Sequence, residues 1–143
     1  MKKDLKANVD WVKDLVFVGR SASGHSMVID GDSENSSAPS PMELLLMGAG
    51  GCANIDIVMI LEKARQHIVN CSVELTGKRR DEIPRTFTDI HMHFRVSGYN
   101  LKPSQVERAV ELSMTKYCSA SLTLKKACDI TWDYEIKELA TEA

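Results

Sequence analysis

The stretch from Leu44 to Leu61 constrains the fold of this chain more than any other. It is apolar nearly all round, yet it contains Gly48, Gly50, Gly51, Asn54 and Asp56. A bilayer span asks for about 20 predominantly apolar residues with few or no charges. The segment therefore reads as a soluble-protein helix buried on several sides. Its start is also legible. Ser40 can cap, Pro41 suits the first helical position, and Glu43 completes a Ser-x-x-Glu capping box. The helix is expected through most of Met42 to Gln66. Each interior glycine costs roughly 1 kcal/mol relative to alanine. A close helix–helix contact or a kink near Cys52 would account for them.

Cys52 sits at the end of this glycine-rich run, in Gly50-Gly51-Cys52-Ala53. Cys118 follows 66 residues later, in Tyr117-Cys118-Ser119-Ala120-Ser121. Small neighbours let backbone and partner groups approach a thiol closely. The two sulfurs form a reactive pair if the fold brings them together. The alternative is that both are small buried hydrophobes, since reactivity needs an activating environment. Cys71 and Cys128 lie in or beside strand patterns and read as packing residues.

Around the central helix the pattern is α+β. Three extended segments open the chain, at 7–12, 15–18 and 25–30, broken by Gly, Ser and Asp. Residues 31–40 are polar and read as a mobile loop. Ile68 to Lys78 places Val69, Cys71, Val73 and Leu75 on one strand face. Thr86 to Val96 places Thr86, Thr88, Ile90, Met92, Phe94 and Val96 on one face of a paired strand. Pro103 opens a second helix carrying Val106, Ala109, Val110, Leu112, Met114 and Tyr117. A shorter helix follows Cys118, and Asp129 to Ile136 is a final strand. One domain over residues 1–143 is expected.

Several function classes fall away. The net charge is −2, so there is no global basic field for nucleic acid. Lys78-Arg79-Arg80 is followed at once by Asp81-Glu82 and reads as a solvated strand end. His91 and His93 share a strand face, but no further ligands at metal-site spacing accompany them; a solvent face is the simpler reading. Gly19 to Gly24 lacks the Lys-Ser/Thr of a phosphate loop and reads as a hairpin turn. The charged N-terminus leads into no apolar signal core. A cytoplasmic location with reduced thiols, and no membrane partner, is expected.

The blocks Pro39-Ser40-Pro41-Met42-Glu43-Leu44-Leu45-Leu46-Met47-Gly48-Ala49-Gly50-Gly51-Cys52 and Tyr117-Cys118-Ser119-Ala120-Ser121-Leu122 carry a resemblance. The chain resembles the OsmC/Ohr superfamily, the osmotically inducible and organic hydroperoxide resistance proteins. Its first cysteine block is most similar to the YhfA-like branch. The resemblance implies an intertwined homodimer with a long central helix packed on extended antiparallel sheet. It implies reduction of organic hydroperoxides without metal or flavin. Cys52 would be the attacking thiolate and Cys118 the resolving thiol, with a dithiol as reductant. Arg20 would be the activating cation. The family's glutamate position falls on Met42, one residue before Glu43, so Glu43 is a site candidate whose alternative role is the capping box. Ser119 stands where the family usually has proline. Two other functions share the same layout: a binding protein for a small apolar ligand at the dimer interface, and a two-cysteine redox sensor.

Overall fold

The computed structural model describes residues 4–140. The chain divides into two compact units, one ending at Leu45 and the other beginning at Leu46. The first contains β1 (Ala7–Lys13), β2 (Val16–Ser21) and β3 (Ser26–Asp30), an antiparallel meander in the order β1-β2-β3. Gly24, with φ of 94°, turns the chain between β2 and β3, while Gly19 lies inside β2. After β3 the chain is irregular, as expected for a loop. The buried Asp30 carboxylate accepts hydrogen bonds from the Asp32 and Ser37 backbone N–H groups and from Ser37 Oγ, each at 2.9 Å. These bonds, led by the one from Asp32, hold its pKa below the ordinary value.

The helix α1 (Pro41–Lys63) begins where its capping signal predicts. Glu43 N–H donates to Ser40 Oγ at 3.2 Å, and Ser40 N–H donates back to Glu43 Oε1 at 3.0 Å. The Glu43 pKa is lowered by these bonds. Ala49, Gly50, Ala53, Ile57 and Leu61 form the buried side of the helix. Among the described residues Leu45, Met47, Ile55 and Met59 of this helix are exposed, Ile55 at 61%. By length and composition alone, α1 could cross a membrane.

In the second unit, β4 (His67–Arg79) and β5 (Phe87–Tyr99) pair antiparallel over their whole length. β6 (Asp129–Glu138) joins the other side of β5 in parallel, so this sheet is mixed rather than purely antiparallel. Between β5 and β6 run α2 (Pro103–Leu112), a π-helical turn at Ser113–Tyr117 and α3 (Ser119–Leu124). Ile90, Met92, Phe94 and Val96 fill the core face of β5, and Val106, Val110 and Met114 are buried in the helical segment that follows it.

Both ends of the β4–β5 hairpin depart from simple alternation. The register shifts between Ile68 and Asn70 and again between Lys78 and Arg79. A bulge exchanges the two faces of a strand. Val69 is therefore exposed, and Phe87 is buried where alternation predicted Thr86 and Thr88. The π turn does the same to the helical pattern, leaving Tyr117 half exposed rather than on the face of Val106 and Met114. Of the α1 glycines Gly50 makes a close approach, and it is to the sheet rather than to another helix. A Cβ on Gly50 would come within 2.7 Å of Leu75 Cδ1 and 3.1 Å of Val73 Cγ1 on β4.

Candidate functional site

Cys52 lies on α1, and Asp56 follows one turn later on the same helix face. Cys118 is brought to them by the π turn. Its N–H donates to the Ser113 carbonyl at 2.7 Å, closing that turn, and its own extended backbone starts α3. π-helical turns concentrate at functional sites because they re-aim one side chain against the helical phase. Here the re-aimed residue is a cysteine. Cys52 Sγ, Cys118 Sγ and an Asp56 carboxylate oxygen all lie within 4.8 Å of one another.

The two thiols differ in environment. Cys118 is fully buried, whereas Cys52 is partly exposed. The Cys118 thiol donates to Ser121 Oγ at 3.0 Å and has the Ala49 carbonyl at 3.8 Å, while Ser121 N–H donates to its sulfur at 3.4 Å. Burial pushes its pKa up, and the Ser121 hydrogen bonds oppose that shift. Ser113 Oγ, itself buried, donates to Asp56 Oδ2 at 3.1 Å and reaches the Ala53 carbonyl at 3.3 Å. One residue thus closes the turn that aims Cys118 and orients the carboxylate beside it.

Asp56 also borders an open cavity of about 620 Å³. Met59, Ile60, Leu112 and Tyr117 give it apolar walls, and Lys63 and Arg108 add cations. The sequence reading did not single out Asp56, Ser113 or Arg108. Asp56 was detectable as the i+4 partner of Cys52 and the one charge in the apolar run. Ser113 and Arg108 carried no comparable signal.

Arg20 and Glu43 belong to the first unit. Arg20 projects from β2, with Nη1 3.4 Å from Asp10 Oδ2, an exposed pair on neighbouring strands. Among the described residues Arg20 has no ion pair with Glu43, which serves the capping box. Cys71 and Cys128 stand apart from the thiol pair. Cys71 donates to Asn54 Oδ1 at 3.4 Å, and burial pushes its thiol up to about 11. Cys128 donates to the Leu124 carbonyl at 3.4 Å.

His91 and His93 do lie on the outer face of β5, where charged neighbours occupy both rings. Asp133 Oδ1 is 3.0 Å from His91 Nε2 and 2.7 Å from His93 Nδ1, and Thr131 Oγ1 is 2.7 Å from His91 Nδ1. Glu135 bridges onward to Arg95 Nε at 2.6 Å.

A family model described as OsmC-like protein matches residues 31–133. Protein YhfA of Escherichia coli strain K12 is 54% identical over 132 residues, covering 92% of this chain and 98% of that protein. A crystal structure of a hypothetical protein from Aquifex aeolicus VF5 aligns with a TM-score of 0.81 at 26% identity, covering 96% of this chain and all of the other. An organic hydroperoxide resistance protein from Elizabethkingia anophelis aligns with a TM-score of 0.73, covering 96% of this chain and 99% of the other. At 11% identity that last likeness concerns the fold alone.

Proposed function

The chain belongs to the OsmC-like family, and from that premise we propose that it is a thiol-dependent peroxidase that reduces organic hydroperoxides. One observation carries the reading: a partly exposed thiol and a fully buried thiol, from distant parts of the chain, lie within 4.8 Å of each other. The exposed member, Cys52, is the attacking residue. Its thiolate attacks the distal peroxide oxygen, the O–O bond breaks, and the alkoxide leaves as an alcohol after taking a proton. Cys52 becomes a sulfenic acid. Cys118 then attacks that sulfur, forming an intramolecular disulfide and releasing water. An external dithiol reduces the disulfide by exchange. The burial of Cys118 suits a thiol that must wait for its partner rather than meet oxidant from solvent.

The cavity bordered by Asp56 has Met59, Ile60, Leu112 and Tyr117 among its walls and supports an organic substrate over hydrogen peroxide, since a bulky alkyl group gains from burial against them. Arg20 is proposed as the cation that favours the Cys52 thiolate, and Glu43 as a residue that fixes the start of the helix carrying Cys52. Both act in the assembled protein, which we propose is a homodimer. The exposed apolar side of α1, with Leu45, Ile55 and Met59, supports that assembly, because an uncovered stripe of this kind calls for a partner. A cytoplasmic location goes with the need for a dithiol reductant.

Cumene hydroperoxide consumption with a dithiol tests the reading. Wild-type protein is expected to turn over. Cys52→Ser should abolish turnover, and Cys118→Ser should consume about one equivalent and then stall or over-oxidise. Arg20→Ala should slow the first step. A wild-type reaction no faster than that of a free thiol would overturn the peroxidase reading and leave the apolar-ligand binding protein as the better one.

A further inference from the structure

Cys52, Cys118 and Asp56 bring two thiols and a carboxylate within 4.8 Å of one another, a donor set of the kind that holds a thiophilic cation. The donors come from two elements, α1 and the junction of the π turn with α3. Asp56 is already oriented by Ser113 Oγ at 3.1 Å, the kind of outer hydrogen bond that fixes a ligating carboxylate. Asp56 also borders the cavity of about 620 Å³.

We propose that the reduced protein binds one thiophilic divalent cation, of the zinc class, through Cys52 Sγ, Cys118 Sγ and an Asp56 oxygen, with a fourth position left to water. Zinc takes thiolate sulfur at about 2.3 Å and carboxylate oxygen at about 2.0–2.2 Å in tetrahedral geometry. Donor atoms in such a site stand about 3.5–3.8 Å apart, by that same geometry. The present cluster, within 4.8 Å, reaches it by a contraction of about 1 Å, a rotamer-scale movement. Binding releases two thiol protons as two sulfur–zinc bonds form, and no electrons move. The metal is not a cofactor of peroxide reduction. It occupies the sulfurs that would otherwise form the disulfide, so metal binding and oxidation exclude each other. This inference rests on the donor cluster and not on the peroxidase reading.

The test uses the full-length reduced protein with zinc alone, and cobalt as a spectroscopic probe. One zinc per chain should survive desalting, and cobalt should show sulfur charge-transfer and tetrahedral visible bands. Asp56→Asn should weaken zinc binding at least tenfold, as loss of a charged ligand does at minimum. Cys52→Ser should abolish the sulfur bands, and Cys71→Ser should leave them unchanged. Because Cys118 is buried, its substitution could unfold the chain; wild-type protein oxidised with diamide provides a folded control and should retain no metal. Failure of wild-type protein to retain zinc, equal retention by the oxidised protein, equal affinity in Asp56→Asn, or loss of binding in Cys71→Ser would each overturn the site. No hydroperoxide enters these measurements, so their outcome is separate from that of the peroxidase assay.

Discussion

At the scale of single residues, four cysteines of one chemical type have been given different work by their surroundings. Cys71, with its thiol pushed up to about 11 by burial, is protonated at neutral pH and inert. Brief treatment with iodoacetamide at pH 7.5 should therefore label Cys52 well before Cys71, and peptide mass spectrometry reads the order. Labelling of Cys71 first would contradict this assignment. The histidines of β5 make a second residue-scale prediction. Asp133 holds the His93 pKa above its ordinary 6.5, chiefly through their hydrogen bond, while Asp133 and Glu135 are held below their ordinary 3.8 and 4.5. A raised histidine pKa stabilises fully below 6.5, and that contribution is lost as pH rises through the folded value. A lowered carboxylate pKa stabilises above the ordinary carboxylate value, and that contribution is lost as pH falls. The cluster should thus contribute most between pH 4.5 and 6.5. NMR titration should find the His93 pKa raised in wild-type protein and lowered by Asp133→Asn. The cysteine pair was visible in the sequence because its small-residue context is unusual. Asp56 was not singled out, because a single aspartate in an apolar run reads first as evidence against a membrane span.

At the scale of elements, the periodic patterns predicted which segments become helix and strand, and irregularities decided which side chains face the core. The capping box at Ser40 and Glu43 could be read directly, since it depends on residues three apart. The bulges at Val69 and near Phe87 could not, because they arise from cross-strand register rather than local pattern. The π turn before Cys118 is of the same kind. It takes one residue out of helical phase, and nothing in Ser113-Met114-Thr115-Lys116-Tyr117 announces it. Gly98 shows what such close pairing requires. A Cβ there would collide with the His67 carbonyl oxygen, a backbone atom that cannot rotate away. Gly98→Ala should destabilise the protein by roughly 1–3 kcal/mol, the usual cost of forcing extra atoms into a packed site. A shift of the urea midpoint without a change in slope measures it. An unchanged midpoint would mean that the hairpin end relaxes freely.

At the scale of the whole molecule, α1 carries a buried side and an exposed apolar side among the described residues. Gly50, on the buried side, faces Val73 and Leu75 of the sheet. On the opposite side Gly48 and Gly51 have nothing near their Cβ positions, in line with the exposed Ile55 and Met59. The apolar character of this helix was evident from sequence, and among the described residues Leu45, Met47, Ile55 and Met59 remain exposed. The proposed dimer supplies the missing cover. Ile55→Lys should convert dimer to monomer in light scattering, because an interface centre does not accept an unpaired charge. A wild-type protein that is monomeric at micromolar concentration would remove the dimer from the account. The family match runs from residue 31 to 133 and so takes in the whole of α1 and both Cys52 and Cys118.

The central claim is that Cys52 and Cys118 act as one redox pair, and peptide mapping tests it most directly. Reduced protein would be treated with one equivalent of cumene hydroperoxide, quenched with an alkylating agent and digested without reduction. The account predicts a disulfide joining the Cys52 and Cys118 peptides in most of the chains, with Cys71 and Cys128 alkylated. Peroxide consumed without that linkage, or a linkage through Cys71 or Cys128 instead, would contradict it.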